Sequence, residues 1–178
     1  LTGSQRILFA RHGETDYNAE GRIQGCLESR LTFQGLAQAA ILGNYIAKES
    51  IDQVYCSPMI RARQTLAVIN GSCIAMQNAL PKAMIHNDLR EIELFEWQGM
   101  LKSELEQTEA WKKWRREPEN LELGTQNFPV RDLWQRAVRN WKVIRDTEDT
   151  TLVIAHGALG RCMLASALGY QIEAFRDP

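Results

Sequence analysis

No apolar run in this chain approaches the roughly 18 residues that a membrane-crossing helix needs. The N-terminus shows no basic stretch followed by a long apolar one, so a secretory signal is not expected. Neither sign of charge dominates. Twenty-one Lys and Arg face 22 Asp and Glu, for a formal net charge of -1. No overall field therefore draws the chain to nucleic acid or to a membrane surface, and any bound anion must be held by local cations. Cysteine is scarce. Cys26, Cys56, Cys73 and Cys162 contain no CxxC pair, and they read as reduced, mostly buried thiols of an intracellular protein. HExxH and the phosphate-cradling GxxxxGK are also missing, which removes the common zinc-hydrolase and nucleotide-binding readings. There is no repeat, low-complexity tract or Gly/Ser linker, and 178 residues predict one domain with a single sizeable core.

What is present alternates between two periods. Ile7-Leu8-Phe9-Ala10 is a short continuous apolar run, as expected of a strand buried on both faces. After Thr32, a plausible N-cap, Leu36, Ala39, Ala40, Gly43, Ile46 and Ala47 recur at helical spacing. Residues 52–56 read as a second strand, ended by Ser57-Pro58. A helix follows through Ile69, with Pro58 in its first turn and Ser57 as its cap. Residues 82–85 are a weaker strand. Residues 100–117, rich in Lys, Arg and Glu, read as a solvated helical segment packed through Trp111 and Trp114, and 121–129 as an irregular connection. Leu133, Ala137, Trp141 and Ile144 mark an amphipathic helix. Residues 151–155 are the clearest strand, and 158–168 a last helix. This alternation predicts an α/β domain with a mostly parallel sheet.

Three polar clusters follow three of these strands: Arg11-His12, Ser57 to Arg61, and His156. Ligands of open α/β sheets sit outside the carboxyl ends of the strands, so parallel neighbours would bring the clusters together. Arginine suits bidentate recognition of phosphate. Cations beside an imidazole keep it neutral, and a neutral His12 could accept a phosphoryl group through a ring nitrogen. Arg11, Asn18, Arg61 and His156 would then neutralise the equatorial oxygens. A carboxyl near anionic phosphate favours its protonated form, which makes Glu91 a candidate general acid for the leaving oxygen. His86 has no motif around it, and Arg63 should face away from the cluster.

"RHGETDYNAEGRIQG", "LTFQGLAQAAILG", "VYCSPMIRARQT", "LREIELFEWQG" and "LVIAHGALGR" together resemble the histidine phosphatase, or phosphoglycerate mutase-like, superfamily. They occur in the family's order over nearly the whole chain. The resemblance implies an α/β/α sandwich of three layers with a small helical lid at about 95–130, all within one domain spanning 1–178. It implies His12 as the phosphorylated nucleophile, Glu91 as proton donor, Arg11, Asn18, Arg61 and His156 as the phosphate pocket, and neither metal nor cofactor. Gln24, Gly25 and Lys102 are candidate substrate contacts, Lys102 because it occupies the place of a substrate-contacting lysine in phosphoglycerate mutases.

"LREIELFEWQGMLKSE" and "NFPVRDLWQRAVRNW" further resemble the branch that includes 2-carboxyarabinitol-1-phosphate phosphatase. Three departures from the wider family fall near the expected substrate region: Glu28 and Arg30 in "LESRL", Phe95 where glycine is common, and Asn127-Phe128-Pro129 in place of Gly-Glu-Ser. The activity expected is hydrolysis of a small phosphorylated metabolite, a sugar phosphate or sugar-acid phosphate. Mutase transfer is the alternative, though Gly157-Ala158 replaces the mutases' Gly-Asn. A non-catalytic phosphate-binding module is a third reading. The partner expected is that metabolite alone, with no nucleic acid and no membrane. A homodimer is left open. The compartment expected is the cytoplasm, or the plastid stroma in a plant.

Overall fold

The computed structural model describes residues 5–146 and 149–175. The expected domain limits, Leu1 and Pro178, lie outside them. Four strands form one sheet: β1 (Arg6–Arg11), β2 (Gln53–Cys56), β3 (Met84–Ile85) and β4 (Thr150–Ala155). Their order is β1-β4-β2-β3, and every pairing is parallel. The helices are α1 (Asp16–Ala19), α2 (Phe33–Ile46), α3 (Ile60–Ala75), α4 (Lys102–Leu105), α5 (Glu109–Arg116), α6 (Pro129–Arg145) and α7 (Gly157–Ala167).

Side chains alternate across a strand, so the central β4 has to fill two cores. Leu152 and Ile154 join Ala10, Val54 and Cys56 beneath α2 and α3, which supply Ile46, Ala62 and Ile69. Val153 and Ala155 point the other way, towards Leu133 and Ala137 of α6 and Leu159 and Cys162 of α7. A helical layer thus covers each face, giving the α/β/α sandwich. The continuous apolar run at β4 follows from burial on both sides, whereas β1 is an edge strand in which Ala10 is buried and Phe9 is 38% exposed, so the double burial expected of residues 7–10 is not found.

Several local expectations change. Thr32 does cap α2, accepting from the Gly35 amide. Helix α3 starts at Ile60, after an N-cap at Met59 that has no side-chain cap bond, so Pro58 precedes it. Proline instead opens α6, at Pro129, within the segment expected to be irregular. Residues 100–117 form two short helices, joined by a turn that ends at Thr108, the α5 N-cap. They are anchored inward: Leu105 and Trp114 are buried, and Trp97 meets Trp111 and Trp114 at ring-centroid distances of 5.8 and 6.0 Å.

Candidate active site

The carboxyl ends of β1, β2 and β4 adjoin in register, Arg11 opposite Ala155 and Cys56 opposite Ile154. The next residues of these strands, His12, Ser57 and His156, therefore emerge together. The strands are held into the loops by backbone bonds from His12 N to Ala155 O (3.1 Å) and from Ser57 N to Ile154 O (2.9 Å).

The bonding around His12 selects one tautomer. Nδ1 lies 2.8 Å from the Gly13 carbonyl, which can only accept, so Nδ1 carries the proton. Nε2 is then a lone pair, and it accepts from Arg61 Nε at 3.3 Å. His12 is buried, and its pKa falls from 6.5 to about 4. Burial is the largest cause. Arg61 and Arg11 push the same way, and the Gly13 bond opposes them. The neighbouring cations, expected from the sequence to keep the ring neutral, thus come second to desolvation.

His156 is fully buried, with its ring centroid 5.2 Å from that of His12. Its pKa is lowered well below 6.5, first by burial and then by Arg61. Ser57 Oγ sits 2.7 Å from His156 Nε2 and accepts from the Met59 amide at 3.3 Å. The hydroxyl oxygen has two lone pairs, so it can accept from Nε2–H as well as donate to Nε2, and donation to Nε2 is the arrangement that puts the imidazole proton on Nδ1. Nδ1 is buried and has no hydrogen-bond partner among the described residues. Ser57 therefore orients His156 as well as receiving the Met59 amide, where the sequence reading saw only a helix cap.

Arg61 opens α3 and is 1% exposed. Its Nη1 and Nη2 donate to the carbonyls of Leu27 (2.9 Å) and Gly25 (2.7 Å). With Nε on His12, three of its five N–H donors are committed and two remain. The guanidinium is fixed from the far side by the Gln24-Gly25 loop. That loop is in turn held to the 98–102 segment through Ile23 N to Met100 O and Gly99 N to Ile23 O. Arg11 is exposed and has no ion pair among the described residues. Its side chain lies along Gly157, where a Cβ would be 3.5 Å from Nε. Asn18 Oδ1 accepts from the Thr15 amide in a capping box, which leaves its amide nitrogen as the available donor.

Glu91 follows a short 3-10 turn after β3. Its carboxylate accepts from the Ile92 amide (3.0 Å) and the Ala158 amide at the start of α7 (3.4 Å). Two polar groups in this assembly, Thr65 and Arg136, stand outside the motifs named from the sequence. Thr65 accepts from the Gly13 amide and so anchors the loop of His12 to α3. Arg136 of α6, 3% exposed, donates to the carbonyls of Asp88, Arg90 and Glu91, and it ion-pairs with Asp132 at 2.9 Å. A signal for Arg136 existed: three residues after Leu133, it falls on the apolar stripe of its helix.

Gly13 has a steric reason. A Cβ there would run into the Gly35 carbonyl, and one on Gly35 into that of Glu14, so loop and helix start touch backbone to backbone.

Two cavities meet at His12. The larger, about 500 Å³, is lined by Arg11, His12, Asn18, Arg22 and Lys102. The smaller, about 230 Å³, shares Arg11, His12, Asn18 and Arg22. It adds Gln24, Gly25 and Arg61 on one side, and Glu91, Leu94, Trp114 and Arg161 on the other. Lys102 is thus apart from Glu91, exposed and paired with Glu106 at 3.4 Å. Gln24 accepts from Thr15 Oγ1 at 2.8 Å and is buried.

The departures from the family pattern have structural consequences elsewhere. Glu28 accepts from the Ile60 amide and so caps α3. Phe95 has φ 44°, the left-handed region where glycine is at ease, and its ring packs against Gly124. With Asn127 and Phe128 it lines a separate cavity that includes neither His12 nor Glu91. Exposed His86 follows β3, and Arg63 faces solvent.

Known proteins are similar to this chain in sequence and fold. The family model described as histidine phosphatase superfamily (branch 1) matches residues 7–178. An Arabidopsis thaliana protein named "Probable 2-carboxy-D-arabinitol-1-phosphatase" is 36% identical over 98% of this chain and 36% of its own length. The Triticum aestivum 2-carboxy-D-arabinitol-1-phosphatase is 34% identical over 99% of this chain and 35% of its own. The chain thus spans about a third of the length of these curated relatives. Among solved structures, Bacillus stearothermophilus YhfR superposes with a TM-score of 0.84 at 27% identity, covering 98% of this chain and 85% of that one.

Proposed function

The chain belongs to branch 1 of the histidine phosphatase superfamily, and from that premise we propose that it is a metal-independent phosphomonoesterase for a small phosphorylated metabolite. The observation that carries this reading is the single tautomer of His12. Its Nδ1 proton is held by the Gly13 carbonyl, and its Nε2 keeps a lone pair, which accepts from Arg61 Nε at the cavity wall.

In the first step Nε2 of His12 releases the Arg61 Nε–H, and the freed lone pair attacks phosphorus in line with the ester oxygen. The N–P bond forms as the P–O bond breaks, and Glu91 gives its proton to the departing alkoxide. Arg11, the two uncommitted N–H groups of Arg61, Asn18 Nδ2 and His156 Nδ1–H stabilise the three equatorial oxygens. An anion on His12 would give His156 Nδ1 the acceptor it lacks. In the second step Glu91, now a carboxylate, takes a proton from water, the water oxygen attacks phosphorus, and the N–P bond breaks. Inorganic phosphate leaves and both groups return to their starting states. Residues 95–130, which carry Trp114 to the wall of the Glu91 cavity, act in this reading as the lid.

The test is hydrolysis of p-nitrophenyl phosphate in the presence of EDTA. The wild-type protein should release phosphate, and His12→Ala should not. Activity that persists in His12→Ala, or that EDTA abolishes, would overturn the reading.

A further inference from the structure

Glu91 decides where the leaving group lies. A general acid has to stand within hydrogen-bond reach of the oxygen it protonates. Glu91 lines only the smaller of the two cavities. The alcohol half of the substrate therefore extends into that cavity, away from Lys102. The cavity is about 230 Å³, so the alcohol is small.

Its charge is out of proportion to one phosphate. Four arginines line it, Arg11, Arg22, Arg61 and Arg161, against the single carboxylate Glu91. Arg11 and Arg61 flank His12 and serve the phosphoryl group. Arg22 is occupied, with Nε on Glu20 at 2.7 Å and Nη1 on the Gly99 carbonyl at 2.7 Å. Arg161 is surplus. It is exposed and has no carboxylate partner among the described residues. It lies one turn beyond Gly157 on α7, on the face that turns to Arg11. Its guanidinium is placed against the Phe175 ring, 5.5 Å from the centroid, and that ring stacks edge-on with Trp114 at 5.5 Å. A cation held on an aromatic platform, beyond the general acid and with no acid of its own, suits a second anion on the leaving group.

We propose that Arg161 is a specificity-determining residue that binds a second anionic group, most simply a carboxylate, on the alcohol half of the substrate. This rests on the phosphatase reading above. The substrate class is then the phosphate monoester of a small hydroxy acid. Gln24, Gly25 and Leu94 border the same lobe.

The experiment compares kcat/KM for 3-phosphoglycerate and glycerol 3-phosphate, which differ by a carboxylate in place of a hydroxymethyl group. Glycerol 1,3-bisphosphate serves as the arm in which the second anion is a phosphate. The wild-type protein should prefer 3-phosphoglycerate to glycerol 3-phosphate by about ten- to a hundredfold, the scale of one charge-assisted hydrogen bond in a shielded site. Arg161→Met should collapse this ratio to within about threefold of unity, and Arg161→Lys, which keeps the charge without the fork, should retain part of it. A larger preference for the bisphosphate that Arg161→Met removes would keep the site and make its anion a phosphate. A wild-type protein that hydrolyses p-nitrophenyl phosphate but does not discriminate would overturn this inference alone. So would an unchanged ratio in Arg161→Met. A wild-type protein that hydrolyses none of these esters would overturn the phosphatase reading, and this inference with it.

Discussion

At the scale of single residues, the site is a set of protonation choices made by neighbours. His12 keeps its Nε2 lone pair because Nδ1 is held by a carbonyl and because burial disfavours the imidazolium. A depressed pKa means that the ring stays neutral until the solution is strongly acidic. In an NMR titration the His12 ring signals should move with a midpoint near pH 4, and a midpoint near 6.5 would contradict the site described. Ser57 acts on the other histidine. Ser57→Ala leaves His156 free to take either tautomer, and the form with its proton on Nε2 cannot donate to phosphate. Inhibition by vanadate, a phosphate analogue, should weaken by about ten- to a hundredfold, in line with loss of one hydrogen bond to a charged group. Unchanged inhibition would assign Ser57 to the helix start alone. The candidate groups His12, Arg61, His156 and Glu91 could be named from the sequence because each follows a strand or sits in a compact motif. Ser57, Thr65 and Arg136 could not be assigned, because their partners are 99, 52 and 45 to 48 residues away.

At the scale of elements, what could be read was what periodicity controls. Strand β4 is doubly buried, so its apolar run stands out, β1 shows a similar run although it lies at the sheet edge, and α2 announces itself with Thr32. Two kinds of feature were hidden. One is a break inside a charged stretch: the 100–117 region satisfies helical composition throughout, and only burial of Leu105 and Trp114 divides it into α4 and α5. The other is an element whose work is to place something else. Helix α6 does this through Arg136, which gathers the carbonyls of Asp88, Arg90 and Glu91. Arg136→Met should lower hydrolysis of an alkyl phosphate more than hydrolysis of p-nitrophenyl phosphate, because p-nitrophenolate departs without a proton. The expected difference is at least about tenfold, a fraction of the roughly hundredfold or more that a general acid contributes, because Glu91 is displaced and not removed. Equal losses on both esters would mean that Arg136 supports the fold and not the placement of Glu91.

At the scale of the whole molecule, the site costs stability under acid. Between pH 6.5 and about 4 the unfolded chain protonates His12 while the folded protein does not. The unfolded state then binds more protons, so stability falls as pH is lowered through this window and the loss is complete below about 4. For His12 alone the effect is on the order of 3 kcal/mol. His156 shifts in the same direction. Denaturant unfolding at pH 7 and pH 4.5 should show this loss, and His12→Ala should recover part of it at the lower pH. A variant no more acid-resistant than the wild type would contradict the burial account. The two helical layers and the all-parallel sheet serve one geometric end, which is to bring three strand ends into register so that residues 12, 57 and 156 share a floor.

The central claim is that the phosphoryl group passes through His12. Rapid mixing with phosphorus-labelled substrate, an alkaline quench that preserves phosphohistidine, and peptide mapping would read it directly. The account predicts label on the peptide that contains His12, appearing within one turnover and decaying at the rate of phosphate release. Label on another residue, or steady turnover with no protein-bound label, would contradict it.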